Sequence, residues 1–215
     1  MPELSFQIEG VEVAPWAAAP QLTFKLRLTA ATADERIHTV ALRCQIQIEA
    51  TRRRYAAQEQ AALQDLFGEP KRWAQTLRSL LWTHASVVVP AFAGSTVTDL
   101  PVPCTFDFNV AATKYFYGLT EGEIPLNLLF SGTVFYARAD GGLQVAPIAW
   151  EKEARCKLPV KVWREMMDAY YPNSAWLCLR RDVFERLYRY KMRLGIPTWE
   201  QALEAALPVE EAVGQ

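Results

Sequence analysis

Two histidines, His38 and His84, and four cysteines are all that this 215-residue sequence offers toward metal binding or thiol chemistry. Cys44, Cys104, Cys156 and Cys178 are scattered, with no Cys-x-x-Cys and no His-x-x-x-His spacing. A zinc knuckle, an iron-sulfur ligand set and a disulfide framework are therefore not expected, and no cofactor is. Glycine is scarce, at ten residues. Gly-x-x-x-x-Gly-Lys-Ser/Thr, Gly-x-Gly-x-x-Gly and Gly-x-Ser-x-Gly are all missing, which removes the usual nucleotide hydrolases and serine esterases. No run of about 18 apolar residues occurs, and Met-Pro-Glu-Leu-Ser-Phe lacks the basic and apolar regions of a secretory leader. The sequence reads as cytoplasmic, with no membrane partner. Neither sign of charge dominates either: 23 Lys and Arg against 24 Asp and Glu leave a net charge of -1. That balance gives no general affinity for nucleic acid. What remains is an ordinary globular composition, 51% hydrophobic and 22% charged, long enough to bury a core without a staple.

The first fifty residues alternate with period two, the mark of half-buried antiparallel strands. Leu22, Phe24, Leu26 and Leu28 share one face, and Val40, Leu42, Cys44, Ile46 and Ile48 another. Ser5 to Val13 reads as a first strand, ended by Ala14-Pro15. After Arg52-Arg53-Arg54-Tyr55 the period becomes helical, with Ala62, Leu63, Leu66 and Phe67 before a Gly68-Glu69-Pro70 stop. A second helix opened by Pro70 would bury Trp73, Leu77 and Leu80 or Leu81. Residues 85–90, 100–110 and 124–137 return to strand-like runs. Ala139-Asp140-Gly141-Gly142 marks a hairpin. From Pro159 the chain is helical. Asp182 with Glu185, and Thr198 with Gln201, mark two helix starts, and Gly195 with Pro197 marks a stop.

No catalytic constellation emerges. His84 lacks acidic or thiol partners at useful spacing, and His38 follows the charged segment Asp34-Glu35-Arg36. Cys44 reads as core, whereas Cys104 and Cys156, the latter beside Lys157, are expected to be more accessible. Asp99, Asp107, Glu151 and Glu153 are candidates for paired acids, but which meet in space is open. Most of the seven tryptophans occupy positions expected to pack. Two features instead point to an interaction surface. Consecutive aromatics in Tyr115-Phe116-Tyr117 and in Tyr170 to Trp176 cannot all point inward, so Tyr115, Tyr117, Tyr171 and Trp176 are candidate anchors. Arg180, Arg181, Arg189 and Arg193 stud a basic helix over 180–193. Arginine stems covering apolar surface are the competing reading of that helix, and a nucleic-acid surface is a further one.

Leu66-Phe67-Gly68-Glu69-Pro70, PLNLLFSGTVFY at 125–136, QVAPIAWEKEA at 144–154 and YYPNSAWLCLRRDVFERLYRYK at 170–191 resemble an uncharacterised bacterial family, a domain of unknown function. That family is associated with gene clusters of actinobacterial-type nickel-iron hydrogenases. The resemblance implies an accessory or assembly partner and carries over no catalytic residue. The opening SFQIEGVEV and the strands after it are similar, over about fifty residues, to the export chaperone B type of holdase.

The expected fold class is α+β: a mainly antiparallel β-sandwich-like domain over 1–158, with a helical insertion near 57–82. A helical C-terminal subdomain over 159–208, expected to pack on that domain, and a frayed tail at 209–215 complete it. The expected function is a non-enzymatic, protein-binding accessory or assembly factor. Hydrogenase subunits or maturation factors are the partners that the resemblance implies, and a homo-oligomer is compatible with the sequence. A holdase-type chaperone is one alternative. An enzyme or small-ligand binder with a site assembled from distant residues is another.

Overall fold

The computed structural model describes residues 2–32, 35–105, 110–137, 141–174, 177 and 179–207. The chain divides into two compact units, Met1–Ser174 and Ala175–Gln215. The first contains β1 (Leu4–Val13), β2 (Gln21–Ala30), β3 (Arg36–Ile48), α1 (Ala57–Ala62), α2 (Gln64–Phe67), α3 (Trp73–Thr76), β4 (Leu80–Val89), β5 (Phe92–Ala93), β6 (Ser95–Pro103), α4 (Val110–Tyr117), β7 (Glu123–Ala137), β8 (Leu143–Pro147), β9 (Glu153–Pro159) and α5 (Val160–Tyr170). The second contains α6 (Arg181–Arg193) and α7 (Trp199–Ala206).

The strands form two antiparallel sheets. One has the order β1-β2-β6; the other has the order β4-β3-β7-β8, with β5 added to β3 and β9 to β7. Period-two patterning decides which faces meet: Leu22, Phe24, Leu26 and Leu28 of β2, and Val40, Leu42, Cys44, Ile46 and Ile48 of β3, are all buried. Rings from the two sheets touch, Phe6 stacking on Phe130 at 4.3 Å and Phe24 meeting the edge of Trp82 at 6.2 Å. This is the α+β, sandwich-like architecture expected.

Register shifts adjust the alternation, one of them at Ile37/Thr39 where β3 pairs with β7. The β1–β2 register shifts between Ile8 and Gly10, which carries Val11 and Val13 onto the core side that Phe6 and Ile8 occupy. The β3–β4 register shifts at Ile46/Gln47, leaving Trp82 as the extra residue, so Trp82 and Thr83 are both buried. His84 is exposed although Trp82, two residues before it, is buried.

β7 organises the second sheet. It pairs with β3 from Leu126 to Tyr136, while its other edge takes β9 over Glu123–Leu129 and β8 over Thr133–Ala137. Gly132 sits at the change of partner with φ of +140°, and a Cβ there would lie 2.0 Å from the Ala41 carbonyl oxygen. Only glycine fits so close an approach of two strands.

Several boundaries differ from the sequence reading. The helical insertion ends at Thr76, and β4 begins at Leu80, because Leu80 to Val89 finds β3 as a partner. The strand expected over 100–110 is β6, ending at Pro103, and helix starts at Val110. Residues 106–109, including Asp107, lie outside the described residues. The sheet also gains β9, which was not read as a strand. α5 belongs to the first unit, burying Val160, Trp163, Met166 and Met167 and contacting β1 and β2, whereas the sequence reading began the C-terminal subdomain at 159. β7 and β8 do form the expected hairpin, with Tyr136 opposite Gln144 and Gly141 at positive φ. Residues 138–140 and the tail at 209–215 lie outside the described residues.

Candidate interaction surface

In the first unit, the densest polar cluster follows from the Arg52-Arg53-Arg54-Tyr55 segment. Arg53 turns inward, and Glu59 on α1 meets it at 2.6 Å, their side chains only 8% and 3% exposed. Each also bonds to backbone, while the buried Arg53 Nε has no hydrogen-bond partner among the described residues. Arg53 donates to the carbonyls of Glu121 and Glu123, while Glu59 accepts from the N–H groups of Thr120 and Ala56. Gly122, at φ of +80°, brings its backbone against the guanidinium. Burial pushes the Glu59 carboxyl up, but the two N–H groups and Arg53 outweigh it, and the net shift is below the ordinary carboxylate value. Beside this pair, the Tyr115 hydroxyl donates to Tyr55, which donates to the Ala50 carbonyl. Burial raises both phenols, Tyr55 to about 12. Every partner here belongs to the fold, and the cluster ties α1 and the 118–123 loop to the end of β3.

The other polar groups are dispersed. His38 and His84 are exposed on the second sheet. Cys104 is buried, its thiol donating to the Val102 carbonyl, and Cys156 is half-buried. Cys104 is thus not the accessible thiol expected, whereas Cys156 is more exposed than the core Cys44, and burial raises all three to about 12. The Lys157 ammonium is engaged by Glu123. Asp99 pairs with Lys25, and Glu153 with Arg155 and Asn127. Cys178 lies outside the described residues. Among the described residues, no three His, Cys, Asp or Glu side chains could together hold a metal ion. No helix among them is long and apolar enough to cross a membrane.

The second unit is built differently. Thr198 caps α7 by accepting from the Gln201 N–H, as its spacing predicted. α6 starts instead from Arg180 without a side-chain cap, and Asp182 pairs with Arg180 rather than capping. Gly195, at φ of +64°, ends α6, with Ile196 N–H returning to the Lys191 carbonyl. One face of α6 holds α7: Trp199 lies 5.3 Å from Phe184 and 6.1 Å from Tyr188, with the Lys191 ammonium over its ring. Tyr190 adds a hydrogen bond to the Ala205 carbonyl. The next face carries Val183, Leu187 and Tyr190 at helical spacing, flanked by Arg186, Arg189 and Arg193. With Ala206 these residues line an open groove of about 870 Å³. None of the thirteen residues of α6 is buried.

The expected anchors separate accordingly. Tyr115 is fully buried, contrary to its assignment to an exposed surface, because α4 lies between two sets of aromatics. Tyr115 faces Phe67 and Tyr55, while Phe116 faces Trp82 and Trp163. Tyr117, 40% exposed, covers the edge of Trp163 at 5.0 Å. Tyr171 is half-buried, and Trp176 lies outside the described residues. Arg180, Arg181, Arg189 and Arg193 are exposed, and Arg186 joins them. Of the tryptophans, Trp82 and Trp163 pack as expected of most of them, while Trp16 and Trp150 stand exposed in connections between strands. The Arg53–Glu59 pair was also missed. Its one sequence signal is a glutamate at the third position of a helix that follows an arginine run.

Comparison with known proteins adds a family but no activity. A family model described as a family of unknown function, DUF6084, matches residues 1–215. No curated protein matches the sequence. Among solved structures, one described as a late embryogenesis abundant (LEA) protein is 13% identical, over 74% of this chain and 71% of its own, with a TM-score of 0.31. One described as ApaA, from Bordetella pertussis, is 12% identical, over 73% and 93%, with a TM-score of 0.24. Similarity at this level carries no argument about function.

Proposed function

Because the chain belongs over its whole length to the DUF6084 family, whose function is unknown, we propose from its own geometry that it is a non-enzymatic, protein-binding accessory or assembly factor. One observation carries this reading: a thirteen-residue helix, α6, none of whose residues is buried, exposes Phe184, Tyr188 and Met192 and lines a groove. Leu177, Leu194, Leu203 and Leu207 are exposed in the same unit. A segment this short cannot bury its own apolar surface, and contiguous exposed apolar groups mark interaction sites. Nickel-iron hydrogenase subunits or maturation factors are the partners suggested by the family resemblance. Holdase activity is the second reading, favoured only by the number of apolar side chains left open.

The test compares two baits, the full tagged chain and its Arg186→Glu/Arg193→Glu variant, with folding matched by circular dichroism. A defined set of proteins recovered with the first and lost with the second supports the proposal, and hydrogenase components among them support the finer form. A broad set of unfolded clients favours the holdase. Equal recovery by both baits removes the groove from the account.

A further inference from the structure

Resting on that reading, we infer that the α6–α7 groove takes an acidic amphipathic helix of a partner protein. The argument is charge complementarity over an apolar floor. Val183, Leu187 and Tyr190 lie along the groove at intervals of four and three, the spacing that an apolar stripe on a docking helix presents. Arg186, Arg189 and Arg193 form a parallel row along one side. Other cations of α6 are engaged, Arg181 with Glu185 and Lys191 over Trp199. The three groove arginines have no carboxylate partner among the described residues. Arg189 reaches only the Glu185 carbonyl, and Arg193 lies over the Tyr190 ring.

Carboxylates on an incoming helix, three and four residues apart beside its own apolar stripe, would meet this row. Guanidinium groups are suited to such pairs because their fork of N–H donors matches a carboxylate. Val183 to Arg193 spans about 15 Å of helix, enough for roughly three turns of a partner. Nucleic acid fits less well. Its bases stack on exposed ring faces, whereas this floor is aliphatic apart from Tyr190.

The experiment selects a displayed random library of peptides about 16 residues long against the immobilised full-length chain, with the Arg186→Glu/Arg193→Glu variant as counter-target. Enriched peptides are expected to carry net negative charge and apolar residues at i, i+4 and i+7. As labelled peptides they should bind the full chain at least about tenfold more tightly than the variant. Raising NaCl should weaken them, and a Leu187→Glu substitution should abolish binding through the floor.

Enrichment of neutral or basic peptides, no enrichment, or equal affinity for the variant would overturn the inference. A labelled dT20 oligonucleotide that bound more tightly than the best peptide at the same salt would overturn it as well. The two readings fail separately. If the native partner is captured by the full chain and lost from the variant while no acidic helix is selected, only the occupant assigned here is wrong. If capture is indifferent to the variant, the groove itself is.

Discussion

Tyr115 and Tyr117, two residues apart on α4, make opposite demands on the fold. Replacing Tyr115 with alanine removes a fully buried ring that meets Phe67 and Tyr55 and should cost about 3 to 5 kcal/mol. The Phe variant keeps the ring and loses one hydroxyl that donates to Tyr55, a loss of about 1 kcal/mol. Tyr117→Ala should stay near 1 kcal/mol, since its ring is already 40% exposed. Urea denaturation of the three variants checks the order. The buried Arg53–Glu59 pair is more demanding. Glu59→Gln leaves Arg53 without its charge partner at a site that is nearly covered yet borders an open pocket lined by Arg52, Arg54 and Lys157, and a loss of about 3 kcal/mol, the lower end for a buried pair, is expected. The same pair sets an acid limit. The folded carboxyl of Glu59 lies below its unfolded value, so its contribution is complete above the unfolded value of about 4.3 and is lost as pH falls through the folded one. Denaturation midpoints of wild type should fall over that acidic range, and those of Glu59→Gln should fall less.

Among the elements, β7 and α6 show where the pattern in the sequence was legible and where it was not. Strict alternation over β2 and β3 identified every inward residue named from it, because each strand lies centrally with one face on the core. Strands interrupted by bulges or proline were read less well. Trp82 and Thr83 break the alternation only because β4 carries an extra residue against β3, a tertiary fact that no local period announces. β9 escaped notice because its partner, the first half of β7, lies some thirty residues away, and Gly132, just beyond that pairing, packs its backbone against β3. Gly132→Ala should therefore act on the whole sheet, with a loss of at least about 3 kcal/mol from clash and strained backbone together. Thermal unfolding would register it, and a Tm within a degree or two of wild type would refute this assignment. Capping at α7 was legible, since Thr198 and Gln201 are local partners. Thr198→Ala should weaken that helix by about 1 kcal/mol, read from the indole N–H resonance of Trp199.

At the scale of the whole molecule, the two units divide the roles. The sandwich pairs most of its buried polar groups internally, Arg53 Nε and Asn127 Oδ1 being left without a partner among the described residues, and burial raises the thiols of Cys44, Cys104 and Cys156. The helical unit does the reverse, leaving arginines and apolar groups open. The basic helix was visible from the local run of arginines over 180–193. Which of its arginines face an apolar groove was not, because that depends on Trp199 occupying the neighbouring face. The aromatic anchors were harder still, since exposure of Tyr115 or Tyr117 turns on what the rest of the chain places around α4.

The most direct test of the binding account is quantitative capture of the native partner by the full chain and by Arg186→Glu/Arg193→Glu, followed by titration with the purified partner. The account predicts a defined complex whose affinity falls at least about tenfold in the variant, while unfolding of the strand unit is unchanged. Equal affinity of the two proteins for that partner would contradict it.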